Sequence, residues 1–214
     1  MVKKNWDKSY IEGDSPWDTG FPSSELVRII DNGMVSPCRT LDIGCGTGTN
    51  AIYLAQNGFD VTAVDVSDVA LEKAKIKSRK SGVTIQFIKT VLPDLNLSDR
   101  TFDFIFDRGC FHTMEDGMRT KFALMLKKLT KKGSIYLMLC GNAKEPREDG
   151  PPTLKEEEIR EVFSSLFDFI WLKDFRFDVH EKKPGPLGYS CLMKRHSLRP
   201  LKNMVLSSFP RRRE

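Results

Sequence analysis

The stretch that most constrains this chain is residues 40–50, which read TLDIGCGTGTN. Its first four residues predict a short buried strand, and residues 51–55 then start a helical pattern. The glycines between them, Gly44, Gly46 and Gly48, allow positive φ and let the main chain approach a ligand closely. Amides at the start of the helix face the same ligand. We therefore expect a strand, a glycine loop and a helix that together bind a small molecule.

An acidic residue downstream of the glycine loop stands where nucleotide-binding folds hold a ribose. Residues 59–65 form another apolar segment, which ends at Asp65, 17 residues after Gly48. A carboxylate about 20 residues beyond such a loop hydrogen-bonds the ribose hydroxyls. The ligand is therefore expected to contain a nucleoside.

The spacing of the loop separates one kind of nucleoside ligand from another. A dinucleotide-binding loop reads G-x-G-x-x-G, whereas this one reads G-x-G-x-G, with Asp42 two residues before it. A carboxylate at that point repels a pyrophosphate and attracts an amino group. These residues resemble the strand and loop of class I S-adenosylmethionine (SAM) methyltransferases, and the resemblance implies SAM as the cofactor. The implied cofactor residues here are Asp42, Gly44, Cys45, Gly46, Gly48, Asp65 and Val66. A purely structural turn and a nicotinamide-binding unit are the alternatives.

The composition fits one α/β domain. The 214 residues are 40% hydrophobic and 29% charged, and no apolar run reaches the roughly 18 residues that span a bilayer. The N-terminus is followed by no apolar stretch of the secretory kind, so we expect a cytoplasmic protein. The five cysteines are scattered and contain no C-x-x-C pair, which predicts neither a metal site nor a disulfide framework.

The order of the apolar segments predicts a Rossmann-like, doubly wound α/β domain. We expect seven strands in a mostly parallel sheet, with the order 3-2-1-4-5-7-6 that the resemblance implies. The last two strands follow one another without a helix, so they should form an antiparallel hairpin. The predicted division is residues 1–25 as an aromatic lid segment, residues 26–197 as the methyltransferase domain and residues 198–214 as a mobile tail. That tail carries five basic residues and one acid, which is +4 of the net charge of +5.

The N-terminal segment holds several large aromatic residues, among them Trp6, Tyr10, Trp17 and Phe21. Composition alone favours either a lid over the cofactor or aromatic packing on the edge of the sheet. The segment resembles the W-x-x-x-[WY] motif of thiopurine and tellurite-resistance methyltransferases, whose N-terminal segment covers SAM. That resemblance makes Trp6 and Trp17 candidate cofactor contacts.

Two further expectations concern the chain between the second and the last strands. The resemblance suggests an aspartate after the third strand to hold the adenine, but the chain has Val91 and Leu92, so their backbone is expected to meet the adenine instead. The lysines and the arginine of the helix that runs through residues 70–76 and ends at Gly82 are expected to form a solvated outer face. Thr153 is expected to cap a helix that runs from Leu154.

The loop after the fourth predicted strand is expected to form the floor of the active site. Its Asp107-Arg108-Gly109 sequence resembles the same tripeptide in thiopurine-type methyltransferases, where it borders cofactor and substrate. On that analogy Asp107 helps to close the pocket. Arg108 either holds an anionic substrate or thiolate or forms a salt bridge with Asp18 or Asp107. His112 either accepts a proton from the nucleophile or is structural.

The sequence thus predicts a SAM-dependent methyltransferase that acts on a small soft nucleophile such as a thiol, or on a metalloid oxyanion. The loop after the fourth strand lacks the motif of enzymes that methylate exocyclic amines of nucleic acids. It also lacks the motif of enzymes that methylate cytosine, so a nucleic-acid substrate is not expected. A protein or RNA methyltransferase that docks through the tail, and a SAM-binding sensor without turnover, are the alternatives. We expect a monomer or a weak dimer without membrane association.

Overall fold

The apolar segments form eight strands of a single sheet. The computed structural model describes residues 5–13, 15–97, 101–146, 148, 152–180 and 184–197, so the predicted tail, residues 198–214, lies outside the described residues. The strands are β1 (Arg39–Ile43), β2 (Asp60–Asp65), β3 (Gln86–Lys89), β4 (Phe102–Arg108), β5 (Thr130–Asn142), β6 (Thr153–Leu154), β7 (Phe167–Arg176) and β8 (Leu187–Arg195).

Helices lie between most of these strands, as the doubly wound arrangement requires. They are α1 (Trp6–Glu12), α2 (Ser24–Asp31), α3 (Thr49–Gln56), α4 (Asp68–Lys80), α5 (Asp116–Leu129) and α6 (Glu156–Phe163), with a 3₁₀ turn at Phe111–Thr113. Within the described ranges, no helix is both long and apolar enough to cross a membrane.

The sheet separates two hydrophobic clusters because side chains alternate along each strand. In the central strand β4, Phe104 and Phe106 pack with Leu26 of α2 and Leu54 of α3. Their neighbour Ile105 faces the other cluster, which includes side chains of α5 and α6. Helices therefore cover both faces, and parallel strands buried on both sides are nearly continuous apolar runs.

The predicted strand order is confirmed. The sheet runs β3-β2-β1-β4-β5-β8-β7, in which β5 pairs with β8 and β8 with β7 in antiparallel fashion. The strand count of seven is wrong, because β6 adds a short parallel pair to the end of β5.

That extra strand also overturns the predicted cap at Thr153. Thr153 pairs with Gly141, and Leu154, only 1% exposed, pairs with Asn142 and accepts a hydrogen bond from the amide of Ala143 at 2.9 Å. Helix α6 begins two residues later, at Glu156. Strand pairing and burial of Leu154 outweigh the local capping preference of a threonine.

The topology brings the glycine loop after β1, the end of β2 and the loop after β4 to one edge of the sheet. Strands β1, β2 and β4 are parallel, and Ile43 at the end of β1 is in register with Val64 of β2 and Asp107 of β4. Chain connections from β1 and β4 leave in opposite directions along the sheet, so a switch point lies between them. Ligands of doubly wound sheets bind at that position.

Candidate active site

The glycine loop leaves β1 and turns into α3 without room for side chains. Gly44 and Gly46 have φ of +66° and +54°, a region that only glycine adopts easily. A β-carbon on Gly44 would lie 2.8 Å from Cβ of Cys110, and one on Gly46 would lie 2.7 Å from the hydroxyl oxygen of Tyr10. Gly48 caps α3, again with positive φ. The segment around Cys110 and helix α1, which carries Tyr10, therefore both lie close to the backbone of this loop.

Asp65 joins the glycine loop to the start of α4. Its Oδ2 accepts a hydrogen bond from the amide of Gly46 at 2.8 Å, and its Oδ1 accepts one from the amide of Ser67 at 2.9 Å. Burial raises the pKa of Asp65, while these backbone donors act in the opposite direction. Each carboxylate oxygen can accept a second hydrogen bond, so the group still suits a ribose.

Asp42 is a buried carboxyl group with an unsatisfied oxygen. It is 2% exposed, and its Oδ2 has no hydrogen-bond partner although it is shielded from solvent. Burial, followed by the charges of Asp107 and Asp65, raises the pKa of Asp42 to about 8. A cationic group would satisfy this oxygen and relieve the repulsion, which is what the ammonium group of SAM offers.

Asp107 organises the loop after β4. Its carboxylate accepts hydrogen bonds from the amides of Cys110 at 2.8 Å and Phe111 at 3.1 Å and from the hydroxyl of Tyr136 at 3.2 Å. The group is completely buried, and burial raises its pKa to about 7. These contacts place Asp107 beneath the loop, where it holds the backbone around Arg108.

Arg108 lies in the cleft between the glycine loop and the N-terminal segment. Its Nη1 donates to the carbonyl of Trp17 at 2.8 Å, its Nη2 donates to the carbonyl of Asp178 at 3.4 Å, and its guanidinium carbon lies 5.4 Å from the ring centre of Phe177. Burial lowers the pKa of Arg108, and Asp178 and Asp18 counteract it.

Neither carboxylate proposed as a salt-bridge partner reaches this arginine. No oxygen of Asp18 or Asp107, both within the described ranges, lies within 4.0 Å of its guanidinium nitrogens. Arg108 is thus held by backbone carbonyls rather than by an ion pair with either of these two residues.

His112 is buried and bonded to the backbone through its Nδ1. Its Nδ1 accepts a hydrogen bond from the amide of Gly141 at 2.7 Å, and the residue is 5% exposed. Burial, with the charges of Arg108 and Arg119, lowers the pKa of His112 to about 4, so the ring is neutral near pH 7. This contact ties the loop after β4 to the end of β5, and it supports the structural alternative.

The N-terminal segment lies over the glycine loop. The rings of Trp6 and Trp17 meet edge to face with centroids 5.5 Å apart, and Nε1 of Trp17 donates to the hydroxyl of Tyr10 at 3.0 Å. Tyr10 is 4% exposed and sits against Gly46. Trp17 lines the cleft directly, whereas Trp6, predicted as a cofactor contact, is not among the residues that line it and meets the ring of Trp17.

Helix α4 fastens this segment through side chains that the sequence suggested were solvated. Lys73 donates to the carbonyl of Tyr10 at 2.6 Å, and Lys77 donates at 2.5 Å to the hydroxyl of Thr47, which itself donates to Asp18 at 2.8 Å. Lys73 is exposed and the side chain of Lys77 is 40% exposed, so both stay in contact with solvent as predicted while they also make these hydrogen bonds. Lys73 binds the N-terminal segment directly, and Lys77 is connected to it through Thr47 and by its 3.8 Å approach to Asp18.

The predicted adenine contacts, Val91 and Leu92, follow β3, and the predicted cofactor residue Val66 follows β2. Val66 is 37% exposed and Val91 is 45% exposed, while Leu92 packs against the core. Strand pairing in register brings these two ends together, since Asp65 pairs with Lys89. Val66 and Val91 are thus two exposed apolar side chains near Asp65, the acid expected to bind the ribose.

The cleft brings together Trp17, Asp42, Gly44, Cys45, Gly46 and Arg108 of the predicted residues. Sequence reasoning missed several others that line it: Tyr10, Asp18, Thr19, Phe21, Thr47, Thr49 and Asn50. For Tyr10 a signal existed, because it is the second aromatic position of the W-x-x-x-[WY] motif. For Thr49 and Asn50 the signal was their place directly after the last glycine.

The fold and the site define a class I SAM-dependent methyltransferase: a switch-point cleft, a glycine loop and an unpaired buried carboxylate suited to an ammonium group. A family model described as thiopurine S-methyltransferase matches residues 1–199. The chain belongs to the thiopurine S-methyltransferase family, and SAM is its cofactor.

Individual relatives agree with this assignment. The chain is 30% identical over 182 residues to probable thiol methyltransferase 2 of Arabidopsis thaliana, covering 83% of this chain and 80% of the relative. It is 30% identical over 155 residues to 2-heptyl-1-hydroxyquinolin-4(1H)-one methyltransferase of Mycobacteroides abscessus, covering 71% of this chain and 68% of the relative.

A solved structure with a bound product is similar in fold. It is the 1,6-didemethyltoxoflavin-N1-methyltransferase of Burkholderia thailandensis with 1,6-didemethyltoxoflavin and S-adenosylhomocysteine (SAH) bound. Its TM-score is 0.70 at 19% identity, and the match covers 89% of this chain and 85% of that one.

Proposed function

We propose that this enzyme methylates a small soft nucleophile that carries negative charge in the cleft, with a thiolate or related sulfur anion as the leading class and a metalloid oxyanion as the second. The observation that carries the proposal is Arg108: a guanidinium in the cofactor cleft, held by two carbonyls and without an ion-pair partner in Asp18 or Asp107. The relatives named for thiols support the sulfur class.

The residues of the cleft have separate roles in this proposal. Asp42 would hold the ammonium group of SAM, Asp65 the ribose, and Val66 with the backbone at Val91 the adenine. SAM supplies a methyl group on a sulfonium, so the leaving group needs no protonation. The protein's task is to position the acceptor and exclude water.

Arg108 would orient the acceptor and stabilise its anionic form. A thiolate, not a thiol, is the reactive form of sulfur, and a fixed cation lowers the pKa of a bound thiol. Trp17 and Tyr10 would shield the reacting groups from solvent. Asp107 and His112 would act indirectly, because their contacts fix the loop that carries Arg108.

The test is turnover on a panel of acceptors. Purified protein and SAM would be incubated separately with thiocyanate, an aromatic thiol, an alkyl thiol, selenite and tellurite, and methylated product and SAH would be quantified by mass spectrometry. We expect stoichiometric product and SAH with at least one sulfur anion. Failure with every sulfur and metalloid acceptor, with turnover on protein or RNA or with none, would contradict the proposal in favour of the alternatives.

A further inference from the structure

Asp178, two residues after β7, contacts both Arg108 and the start of α2. Its side-chain Oδ2 accepts a hydrogen bond at 3.0 Å from the amide of Ser24, the first residue of α2. Its backbone carbonyl accepts a hydrogen bond from Nη2 of Arg108 at 3.4 Å. One residue thus binds the proposed acceptor site through its main chain and a neighbouring helix through its carboxylate.

Helix α2 is capped by Asp178 rather than by the residue that precedes the helix. Ser23 makes no capping hydrogen bond with its side chain, and its Oγ is buried without a partner. The first amides of a helix have no partner within it, and the helix dipole favours a negative charge at this end. Asp178 supplies that charge from 154 residues further along the chain. The contact therefore holds a carboxylate in place near Arg108.

The charge of Arg108 is opposed by two carboxylates that do not pair with it. They belong to Asp178 and Asp18, and their charges act on Arg108. No carboxylate oxygen of either residue, both in the described ranges, lies within 4.0 Å of the guanidinium nitrogens. Asp18 in turn lies 3.8 Å from Nζ of Lys77. The guanidinium can therefore bind an anion, but these carboxylates repel each negative charge that the anion carries.

We propose that Asp178 restricts the acceptor to anions with a single negative charge. Attraction to Arg108 grows in proportion to the charge of the anion, whereas the cost of removing the anion from water grows with the square of that charge. A nearby carboxylate reduces the attraction, so a doubly charged anion cannot recover its larger dehydration cost. The inference rests on the proposed function and deepens it by defining the charge of the acceptor and a residue that selects it.

The decisive variant is Asp178→Asn, which keeps an oxygen for the amide of Ser24 and removes the charge. Isothermal titration calorimetry on the SAH complex would compare thiocyanate, which carries one negative charge, with thiosulfate, which carries two. We expect the intact protein to bind thiocyanate more tightly. In Asp178→Asn, thiocyanate should bind about 3-fold more tightly and thiosulfate about 10-fold, because the lost repulsion is twice as large for the doubly charged anion.

Two further variants keep the test specific. Asp168→Asn removes the same charge at the exposed start of β7, about 25 Å along the strand from the end that leads to Asp178, and should leave both affinities unchanged. Asp178→Ala removes the charge and the helix cap together, so its melting temperature should fall below that of Asp178→Asn. All titrations would be made at one ionic strength, because salt screens these charges.

The outcomes separate this inference from the proposed function. An equal change in affinity for both anions in Asp178→Asn, or weaker binding of both, would overturn the inference, as would tighter binding of thiosulfate by the intact protein. Methyl transfer to a sulfur anion in the acceptor panel would leave the proposed function standing in each of these cases. Binding of neither anion would also overturn the inference, and a panel without any product would overturn the proposed function with it.

Discussion

The cofactor side of the cleft and its acceptor side are held by contacts of different range. On the cofactor side, the amide of Gly46 binds Asp65, 19 residues away. On the acceptor side, Arg108 donates to the carbonyls of Trp17 and Asp178, which are 91 and 70 residues away in sequence. The first arrangement belongs to one strand-loop-helix-strand unit. The second exists only when the N-terminal segment and the segment after β7 have both docked, so the proposed acceptor site depends on long-range folding.

The largest expected effect is on the cofactor side. Asp65→Ala removes a carboxylate that accepts hydrogen bonds from the amides of Gly46 and Ser67 and that would bind the ribose. We expect SAH affinity to fall at least about 100-fold, since each charge-assisted bond contributes about 1.5–3 kcal/mol. Isothermal titration calorimetry measures this affinity for SAH. Asp60→Ala, at the exposed start of the same strand, is the matched control, and an equal loss there would refute the local explanation.

The next effect tests how the N-terminal segment meets the glycine loop. Gly46→Ala places a β-carbon 2.7 Å from the hydroxyl oxygen of Tyr10 at a φ of +54°. We expect the free energy of unfolding to fall by about 2–4 kcal/mol, from the positive φ and the overlap together. Adding Tyr10→Phe should recover about 1 kcal/mol, because the overlapping atom is removed. If denaturant titrations show that the losses of unfolding free energy in the two single variants simply add in the double variant, the hydroxyl of Tyr10 does not overlap with the new β-carbon.

A smaller effect follows from the buried carboxyl groups and depends on pH. Burial raises the pKa of Asp42 to about 8 and that of Asp107 to about 7, above the ordinary value of 3.8. The folded protein therefore holds protons that the unfolded chain releases above about pH 4. The free energy of unfolding should fall as pH rises from about 4 to 8, and less steeply in Asp42→Asn.

Cofactor binding should respond in the opposite direction. An ammonium group needs the ionised form of Asp42, so SAH affinity should rise by up to about tenfold per pH unit below its pKa. Calorimetry at pH 6, 7 and 8 in buffers of different ionisation enthalpy measures both the affinity and the proton released. Affinity that is flat across this range would argue against Asp42 as the ammonium ligand.

The smallest effect concerns the contacts that hold the N-terminal segment. Lys77 binds the hydroxyl of Thr47 and lies 3.8 Å from Asp18, but its side chain is 40% exposed. We expect Lys77→Met to speed the dissociation of SAH two- to fivefold in stopped-flow measurements, with the difference shrinking at high salt. Lys80→Met, exposed on the same helix, is the control. Equal rates in the two variants would show that this contact does not hold the segment closed.

The same contrast explains what could be predicted from the sequence. The glycine loop, Asp42 and Asp65 lie within 24 residues, so spacing and residue type predicted a nucleoside ligand, and the resemblance of this loop to a known family implied SAM. The alternation of apolar segments and the resemblance together predicted the strand order. The spacing of the loop is a local signal, and the strand order is shared with a family.

The rest depends on tertiary contacts that leave no local pattern. Strand β6 has two residues and exists because Leu154 is buried beside the end of β5. Lys73 and Lys77 sit in an ordinary charged helix, and only the docked N-terminal segment reveals their partners. The carbonyls that hold Arg108 carry no sequence information, because every residue has one.

The most direct test of the account compares Arg108→Met with the intact enzyme on one sulfur anion that the panel identifies. Arg108 is proposed to bind the acceptor, so we predict that kcat/KM for that anion falls about 100-fold or more, while SAH affinity changes by no more than a few-fold. Unchanged kcat/KM, or a loss explained entirely by weaker SAH binding, would contradict the claim that this arginine is the acceptor site.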